Sequence, residues 1–196
     1  HLWGLSTSQT EDLIKARMHD KWKARDARMA CIGPAGEKLA RMASIVNDRY
    51  WAASRSGVGA VMGSKNLKAI AVRGSKRVSV GDDAKLREAV KKAQQSIKDS
   101  AVSGRSLPTL GTMSFVNVIN EHGILPTRNY QSGYFPNADA VSGETLRDKY
   151  LKDRVGCWGC PIRCGRVTEV KTGPYKVDGE GPEYESSWAL GPNCGV

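Results

Sequence analysis

Apolar residues after position 80 fall on one face of a predicted helix. Three or four residues separate successive members of the set Leu86, Val90, Ala93, Ile97 and Ala101, and the aspartate pair at 82–83 can cap the first turn. This spacing predicts a long helix that runs to about Ala101. Shorter helices are predicted over 110–122 and 142–151, with an ordered irregular segment at 125–139 between them.

Helical and extended patterns alternate over the first 75 residues. The segment from Ser8 to Glu11 fits a capping box, so we expect a charged helix from there to about Arg28. The pattern then predicts a strand at 29–32, a helix from Leu39 toward Tyr50, a glycine-rich loop at 55–63 and a strand at 67–72.

The change of pattern near residues 75–81 predicts a boundary between two parts of the chain. Residues 1–77 are expected to be mixed α/β, and residues 78–196 mainly helical. The length of 196 residues, 40% of them hydrophobic, is enough for one or two domains with a core. The expected fold class is therefore α+β.

The charge and cysteine content exclude some classes of protein. The formal net charge is +10, but lysine and arginine are interleaved with acidic residues, so we expect a solvated surface and no nucleic-acid partner. The sequence has no apolar run long enough for a transmembrane segment and no signal-peptide pattern. Five cysteines, an odd number with three clustered, favour a reducing compartment and a cytoplasmic location.

Three cysteines share one short segment. Cys157, Cys160 and Cys164 are separated by two and three residues, and Gly159 and Pro161 lie between them. Thiolates this close repel each other, so the spacing favours a metal centre. It is typical of [4Fe–4S] sites, whose fourth cysteine often lies far away in sequence. We therefore expect an iron–sulfur cluster and an electron-transfer role.

Zinc and structural thiols are the alternatives for this segment. A structural zinc site needs a fourth ligand, usually from a second Cys or His pair, and the three histidines are scattered along the sequence. The candidates for a fourth cluster ligand are Cys31, Cys194 or a cysteine outside this sequence.

Two further segments carry candidate chemistry. The glycine-rich run from Arg55 to Lys65 has neither Walker A nor dinucleotide-fingerprint spacing, but it could present amides and cations to an anionic cofactor. The alternative is a tight turn with solvated cations. The acidic segment 178–185 is either a solvated turn or the source of a carboxylate that accepts a proton near a metal.

The motifs together resemble the tungsten-dependent aldehyde:ferredoxin oxidoreductase family. The resemblance covers nearly the whole chain, and its motifs occur in the order of the family. They lie at residues 2–4, 10–11, 32–37, 57–70, 126–129, 142–144, 157–164, 181–185 and 190–195. The resemblance implies the end of a β-rich N-terminal domain followed by a mainly α-helical domain with an iron–sulfur loop. It also implies an internal fragment of a longer chain.

The resemblance implies three groups of site residues. Three ligands of a [4Fe–4S] cluster match Cys157, Cys160 and Cys164, with the fourth ligand outside this sequence and Cys194 not a ligand. An acidic residue near a tungsten–bispterin centre matches Glu183 or Glu185. Contacts to a pterin phosphate and a bridging Mg²⁺ match Ala52, Ser54, Arg55 and Gly57, although this chain departs from the family's residue types at Trp51, Ser54 and Ser56.

The function implied by the resemblance is oxidation of aldehydes to carboxylic acids. Electrons would pass through the cluster to ferredoxin or another electron-transfer subunit, in a homo-oligomer or a multi-subunit complex. The alternatives are a related redox subunit that acts on an aromatic acid or thioester, and a zinc-containing nucleic-acid-binding module. We expect the 196-residue piece to be inactive alone.

Overall fold

The computed structural model describes residues 1–18, 27–74, 76 and 78–196. These residues form two compact units, His1–Ser79 and Val80–Val196. The α+β class predicted from the sequence is confirmed, since each unit combines helices with an antiparallel sheet.

The first unit is built on a four-stranded antiparallel sheet. Its elements are α1 (Thr7–Met18), β1 (Arg28–Cys31), α2 (Pro34–Glu37), β2 (Ile45–Asn47), β3 (Trp51–Ala53), α3 (Val58–Ser64) and β4 (Ala69–Val72). The strand order is β3-β2-β1-β4. Met29, Cys31 and Ile32 of the central strand region are buried, and Ala43 and Met62 are buried with them.

A buried ion pair closes this unit. The Lys68 Nζ donates hydrogen bonds to Glu37 Oε1 at 2.5 Å and to the Leu5 carbonyl at 2.7 Å. Both charged side chains are at least nine-tenths buried. The Gly4 amide donates to both carboxylate oxygens of Glu37 at 2.9 Å. Because burial without partners would be costly for either charge, these bonds tie the N-terminal segment to α2 and β4.

The second unit combines helices with a three-stranded sheet. It contains α4 (Asp83–Asp99), a π-helical turn (Val102–Ser106), α5 (Leu107–Leu110), a 3₁₀ turn (Thr112–Ser114), α6 (Phe115–Glu121), a 3₁₀ turn (Ala138–Val141), α7 (Gly143–Lys149), β5 (Leu151–Val155), β6 (Gly165–Val170), β7 (Val177–Glu180), α8 (Tyr184–Leu190) and a 3₁₀ turn (Pro192–Cys194). The antiparallel order β5-β6-β7 was not predicted. The core consists of Met113, Val116, Leu125, Phe135, Ala138 and Leu146.

The helices of the second unit follow their predicted capping signals. The Asp82 carboxylate accepts hydrogen bonds from the amides of residues 84 and 85 at the start of α4, and the Ser142 hydroxyl accepts one from Thr145 at the start of α7. The helix predicted over 110–122 is divided at Gly111, whose φ of 69° is outside the helical region. None of the residues of α4 is buried, and Leu86 and Val90 of its apolar stripe are exposed within this unit.

Several predictions for the first unit are wrong. The helix predicted from Leu39 toward Tyr50 is instead the β2–β3 hairpin, because Asp48 and Arg49 adopt positive φ and turn the chain between two pairing strands. The glycine-rich loop predicted at 55–63 is mostly α3.

The first helix also differs from its prediction at both ends. The capping box is formed two residues earlier, because the Gln9 amide bonds to Ser6 Oγ and the Ser6 amide to Gln9 Oε1. The helix does not run to Arg28, since Arg28 begins β1. The part of that prediction that falls on residues 19–26 lies outside the described residues.

Candidate metal centre

The cysteine segment is the connection between two paired strands. Val155 at the end of β5 pairs with Gly165 at the start of β6, so residues 156–164 form a closed loop. The chain turns where Gly159 and Arg163 adopt φ of 74° and 52°. The Cys160 amide donates to the Cys157 carbonyl at 3.0 Å. The sheet therefore holds both ends of the loop that carries all three cysteines.

The three thiols of the loop differ in exposure and form no disulfide. Cys157 is exposed, whereas Cys160 and Cys164 are half-buried, and all five cysteines of the chain are free thiols. Within the described ranges, no three His, Cys, Asp or Glu side chains already converge as a metal site. The loop thus brings the cysteines to one place in the fold without holding their sulfurs around a preformed centre.

The donor set nevertheless fits an iron–sulfur cluster. Three soft thiol donors in one strand connection supply three of the four ligands that a [4Fe–4S] cluster takes, and metal sites are often completed only when the metal binds. The Trp158 side chain is 93% exposed, so within this unit it does not shield the loop from water.

Glu183 lies next to the cysteine loop. Its side chain is half-buried, and its Oε2 accepts a hydrogen bond of 2.5 Å from the Thr112 hydroxyl. The same hydroxyl accepts a bond of 2.9 Å from the Tyr184 amide at the start of α8. Burial raises the pKa of the Cys164 thiol, and the Glu183 carboxylate raises it further. Of the two predicted acidic residues, Glu183 is therefore the one whose charge acts on Cys164.

The other acidic candidates lie in different surroundings. Glu185 is exposed in the first turn of α8. Asp178 is in β7 and forms an ion pair of 2.6 Å with Lys152 in which both side chains are about half exposed. Burial raises the pKa of Glu180, and the Glu183 carboxylate adds to this effect. The acidic segment therefore contains a solvated carboxylate at Asp178 and two half-buried carboxylates, Glu180 and Glu183, that influence each other.

Arg166 was not found by sequence reasoning. It is the second residue of β6, it follows Cys164 by two positions, and only 1% of its surface is exposed. Burial lowers the pKa of its guanidinium, and the Arg154 cation acts in the same direction, whereas Cys164 and Glu183 raise it. The sequence signal that could have identified Arg166 is its position next to the cysteine motif, but arginine as a residue type predicts an exposed side chain.

Cys31 and Cys194, the two remaining cysteines, have local partners. Cys31 is buried in β1, where its thiol contacts the Thr7 carbonyl at 3.6 Å. Burial raises its pKa, and the Glu11 carboxylate adds to this effect. The exposed Cys194 donates to the Ala189 carbonyl at 3.3 Å. Cys31 thus belongs to the core of the first unit and not to the cysteine loop.

The predicted cofactor contacts lie at an edge strand of the first unit. Ala52 is in β3, the outermost strand of the sheet, and it pairs with Val46. Ala52, Ser54 and Arg55 are exposed, and Gly57 is buried. The exposed residues are therefore accessible to a ligand, and their contacts to a pterin remain a prediction.

The glycines after Arg55 have a packing role. A Cβ on Gly57 would lie 2.1 Å from the Arg41 carbonyl oxygen, and one on Gly59 would lie 2.5 Å from that of Ser44. A Cβ on Gly63 would lie 2.0 Å from the Gly36 carbonyl oxygen. Because no side chain fits at these positions, the glycines allow α3 to pack directly on backbone. The segment therefore has a packing role, as a helix and not as the tight turn of the alternative interpretation.

Comparison with known proteins shows the family. The family described as aldehyde ferredoxin oxidoreductase, domains 2 and 3, matches residues 88–196, and the N-terminal domain of the same family matches residues 1–74. The chain therefore belongs to the aldehyde ferredoxin oxidoreductase family, as the resemblance predicted.

Individual relatives support this assignment. The chain is 48% identical over 195 residues to a tungsten-containing aldehyde ferredoxin oxidoreductase of Pyrococcus horikoshii, a match that covers 100% of this chain and 31% of the relative. It is 28% identical over 204 residues to the WOR-like subunit of an aliphatic sulfonate oxidoreductase of Pyrococcus furiosus, covering 99% of this chain and 32% of the relative. The chain thus spans about a third of the length of these relatives.

A solved structure shares the fold. The active site complex BamBC of benzoyl coenzyme A reductase, in complex with 1,5-dienoyl-CoA, superposes with a TM-score of 0.65 at 28% identity, covering 92% of this chain and 28% of that chain. Among the helices that the structure describes, none is long and apolar enough to cross a membrane.

Proposed function

We propose that the full-length protein oxidises aldehydes to carboxylic acids at a tungsten–bispterin centre. Electrons would leave through a [4Fe–4S] cluster to ferredoxin or to another electron-transfer subunit. The observation that supports this best is the match of both parts of the chain to one family, with 48% identity to a tungsten-containing relative.

The cysteine loop is the proposed cluster site. Cys157, Cys160 and Cys164 would bind the cluster as thiolates, with a fourth ligand outside this sequence. When bound, the tungsten centre would accept the two electrons that an aldehyde loses on becoming an acid, and the cluster would relay them singly.

Glu183 is the proposed proton acceptor. Its carboxylate is half-buried, lies near Cys164 and has one oxygen fixed by the Thr112 hydroxyl. A carboxylate held in this way can orient water or substrate and take up the proton released on oxidation. Glu185 is exposed, which makes it the weaker of the two candidates.

The edge of the first unit is the proposed pterin contact. Arg55 would face a pterin phosphate with Ser54 and Gly57 beside it, and the Ala52 carbonyl would contact a bridging Mg²⁺. The exposure of Ala52, Ser54 and Arg55 supports this assignment.

Metal analysis and turnover of the full-length protein test the proposal. Anaerobically purified protein should contain tungsten, iron and inorganic sulfide, and it should reduce ferredoxin only when aldehyde is supplied, with one carboxylic acid formed for each aldehyde consumed. Zinc without iron, together with salt-dependent binding to DNA or RNA, would favour the nucleic-acid-binding alternative instead.

A second candidate is a related reaction on another substrate. It is favoured by the 28% identity to a sulfonate oxidoreductase subunit and to a benzoyl-CoA reductase complex. The higher identity to the aldehyde enzymes favours the first proposal. Assays with an aromatic acid thioester and with aldehydes on one preparation would separate the two.

A further inference from the structure

The Arg166 guanidinium is buried and only partly satisfied. Its Nη2 donates to the main-chain carbonyls of Leu107 at 2.6 Å, Pro108 at 3.2 Å and Arg163 at 3.4 Å. Its Nε and Nη1 are buried with no hydrogen-bond partner among the residues that the structure describes. Buried guanidinium nitrogens are normally satisfied, so two open ones call for an acceptor.

Arg166 has no ion-pair partner among the residues that the structure describes. All of its partners in the described chain are neutral carbonyls, and a second cation shares one of them, since Arg154 Nη1 donates to the Pro108 carbonyl at 3.1 Å. The Glu183 carboxylate acts on Arg166 through its charge, but its hydrogen bond goes to Thr112 and none joins it to the guanidinium. A buried cation without a bonded anion is unfavourable, so the two open nitrogens favour an anionic acceptor.

The position of Arg166 points to the cysteine loop. A Cβ built on Gly111 would lie 2.7 Å from Arg166 Nε and 2.9 Å from the Cys164 carbonyl oxygen. The guanidinium and the main chain of Cys164 therefore flank the same small space, which a glycine keeps open. Only Gly165 separates Arg166 from Cys164 in sequence, at the start of β6.

We propose that Arg166 provides the counter-charge for the cluster held by Cys157, Cys160 and Cys164 and thereby raises its reduction potential. This inference rests on the function proposed above. Each electron supplied by substrate oxidation adds one negative charge at the cysteine loop. A fixed buried cation with free N–H donors stabilises that added charge, and charge and hydrogen bonds near the sulfurs are what set cluster potentials.

The test compares full-length wild type with Arg166→Gln, both purified anaerobically. Iron and sulfide content is measured first, and the midpoint potential of the cluster is then determined by an EPR-monitored redox titration. We expect unchanged iron content and a more negative midpoint potential. The expected change in the ratio of oxidised to reduced cluster is about tenfold, which corresponds to about 59 mV for a one-electron couple. A full cluster with an unchanged midpoint would overturn the inference.

Arg154→Gln is the matched control. Arg154 is exposed and bonds to the same Pro108 carbonyl, so removing it changes the net charge equally. Water and salt screen its charge, and we expect a clearly smaller shift of the midpoint. Equal shifts in the two variants would show that only net charge matters and would also overturn the proposal.

Arg166→Lys distinguishes the effect of the positive charge from the effect of the planar guanidinium donors. It keeps the charge but loses the guanidinium fork, so its midpoint should lie between those of Arg166→Gln and wild type. If Arg166→Gln does not fold, Arg166→Lys carries the test, and a midpoint at or above the wild-type value contradicts the inference.

The outcomes distinguish this inference from the proposed function. Wild-type protein without iron and sulfide would overturn both. An intact cluster and aldehyde-dependent turnover, with a midpoint indifferent to Arg166, would overturn only the inference.

Discussion

The Thr112 hydroxyl bridges Glu183 and the start of α8. It donates to Glu183 Oε2 at 2.5 Å and accepts from the Tyr184 amide at 2.9 Å, so one small side chain fixes both a carboxylate and the backbone next to it. Thr112 and Glu183 are 71 positions apart in sequence. Thr112 is therefore a positioning residue for Glu183 in the proposed function.

Thr112→Val should lower turnover without removing metal. Valine has the shape of threonine but cannot hold the carboxylate, and misplacement of a reacting group by about 1 Å can cost roughly a hundredfold in rate. We expect kcat to fall and KM for aldehyde to change little, with metal content unchanged. Thr112→Ser, which keeps the hydroxyl, should restore most of kcat.

Thr109→Val controls for loss of a threonine hydroxyl in the same region. Among the described residues, the Thr109 hydroxyl bonds to the Arg105 carbonyl alone, one helical turn earlier, at 2.7 Å. Its loss should leave kcat unchanged. A Thr112→Val enzyme with wild-type kcat would remove Thr112 from the positioning of Glu183.

Glu183→Gln should distinguish the two acidic candidates. A general base contributes roughly 10²- to 10⁴-fold, so we expect a loss of kcat in this range with metal content nearly unchanged. Glu185→Gln, which alters an exposed side chain on the same helix, should retain most activity. Full activity of Glu183→Gln would exclude Glu183 from proton transfer, and a loss confined to Glu185→Gln would reverse the assignment.

Cys160→Ser should remove the brown chromophore of the full-length protein. A hydroxyl is a poor ligand for this kind of cluster, so iron and sulfide should fall strongly. Cys194→Ser is the control, because Cys194 is an exposed thiol bonded to Ala189 and is predicted not to be a ligand. Unchanged iron in Cys160→Ser would contradict the ligand assignment, and iron loss in Cys194→Ser would identify an unexpected fourth ligand.

The sequence predicted local features better than contacts between distant residues, although the capping box lies at Ser6–Gln9 and not at Ser8–Glu11. The caps at Asp82 and Ser142 depend on atoms two or three residues away, so the sequence sufficed. The β2–β3 hairpin was mistaken for a helix because short apolar runs fit both periods. What decides this segment is the pairing of Val46 with Cys31 in a distant strand.

The candidate site shows the same division. The cysteine spacing and Glu183 were visible as motifs. The burial of Arg166 in β6 depends on carbonyls of α5 that lie 58 and 59 residues earlier. The bond from Thr112 joins the turn after α5 to Glu183, 71 residues later, just before α8. Residue type alone predicts an exposed arginine and gives no role to the threonine. The burial of Arg166 and the bond from Thr112 could therefore not be predicted from the sequence.

Glu37→Gln should weaken the first unit. The change leaves the ammonium of Lys68 buried without its anion, which costs about 3–5 kcal/mol for a broken buried pair. We expect the free energy of opening of the first unit to fall by this amount, as measured by native-state hydrogen exchange of the β4 amides. Glu88→Gln in α4 removes a carboxylate from an exposed pair with Lys92 and should change little. Similar small effects of both variants would show that the buried pair does not stabilise the unit.

Acid should loosen the same contact. Burial acts to raise the pKa of Glu37, but the hydrogen bonds from Lys68 and from the Gly4 amide outweigh it, so the folded-state pKa lies below its ordinary value of 4.5. A carboxyl with a lowered folded-state pKa contributes stability that is fully present above the unfolded value and is lost as pH falls through the folded one. Protection of the Gly4 amide against hydrogen exchange, corrected for the intrinsic rate at each pH, should therefore be constant above about pH 5 and decline below the ordinary carboxyl pKa. In Glu37→Gln the protection should be low and independent of pH over this range. A wild-type protection that rises on acidification would contradict the assigned sign.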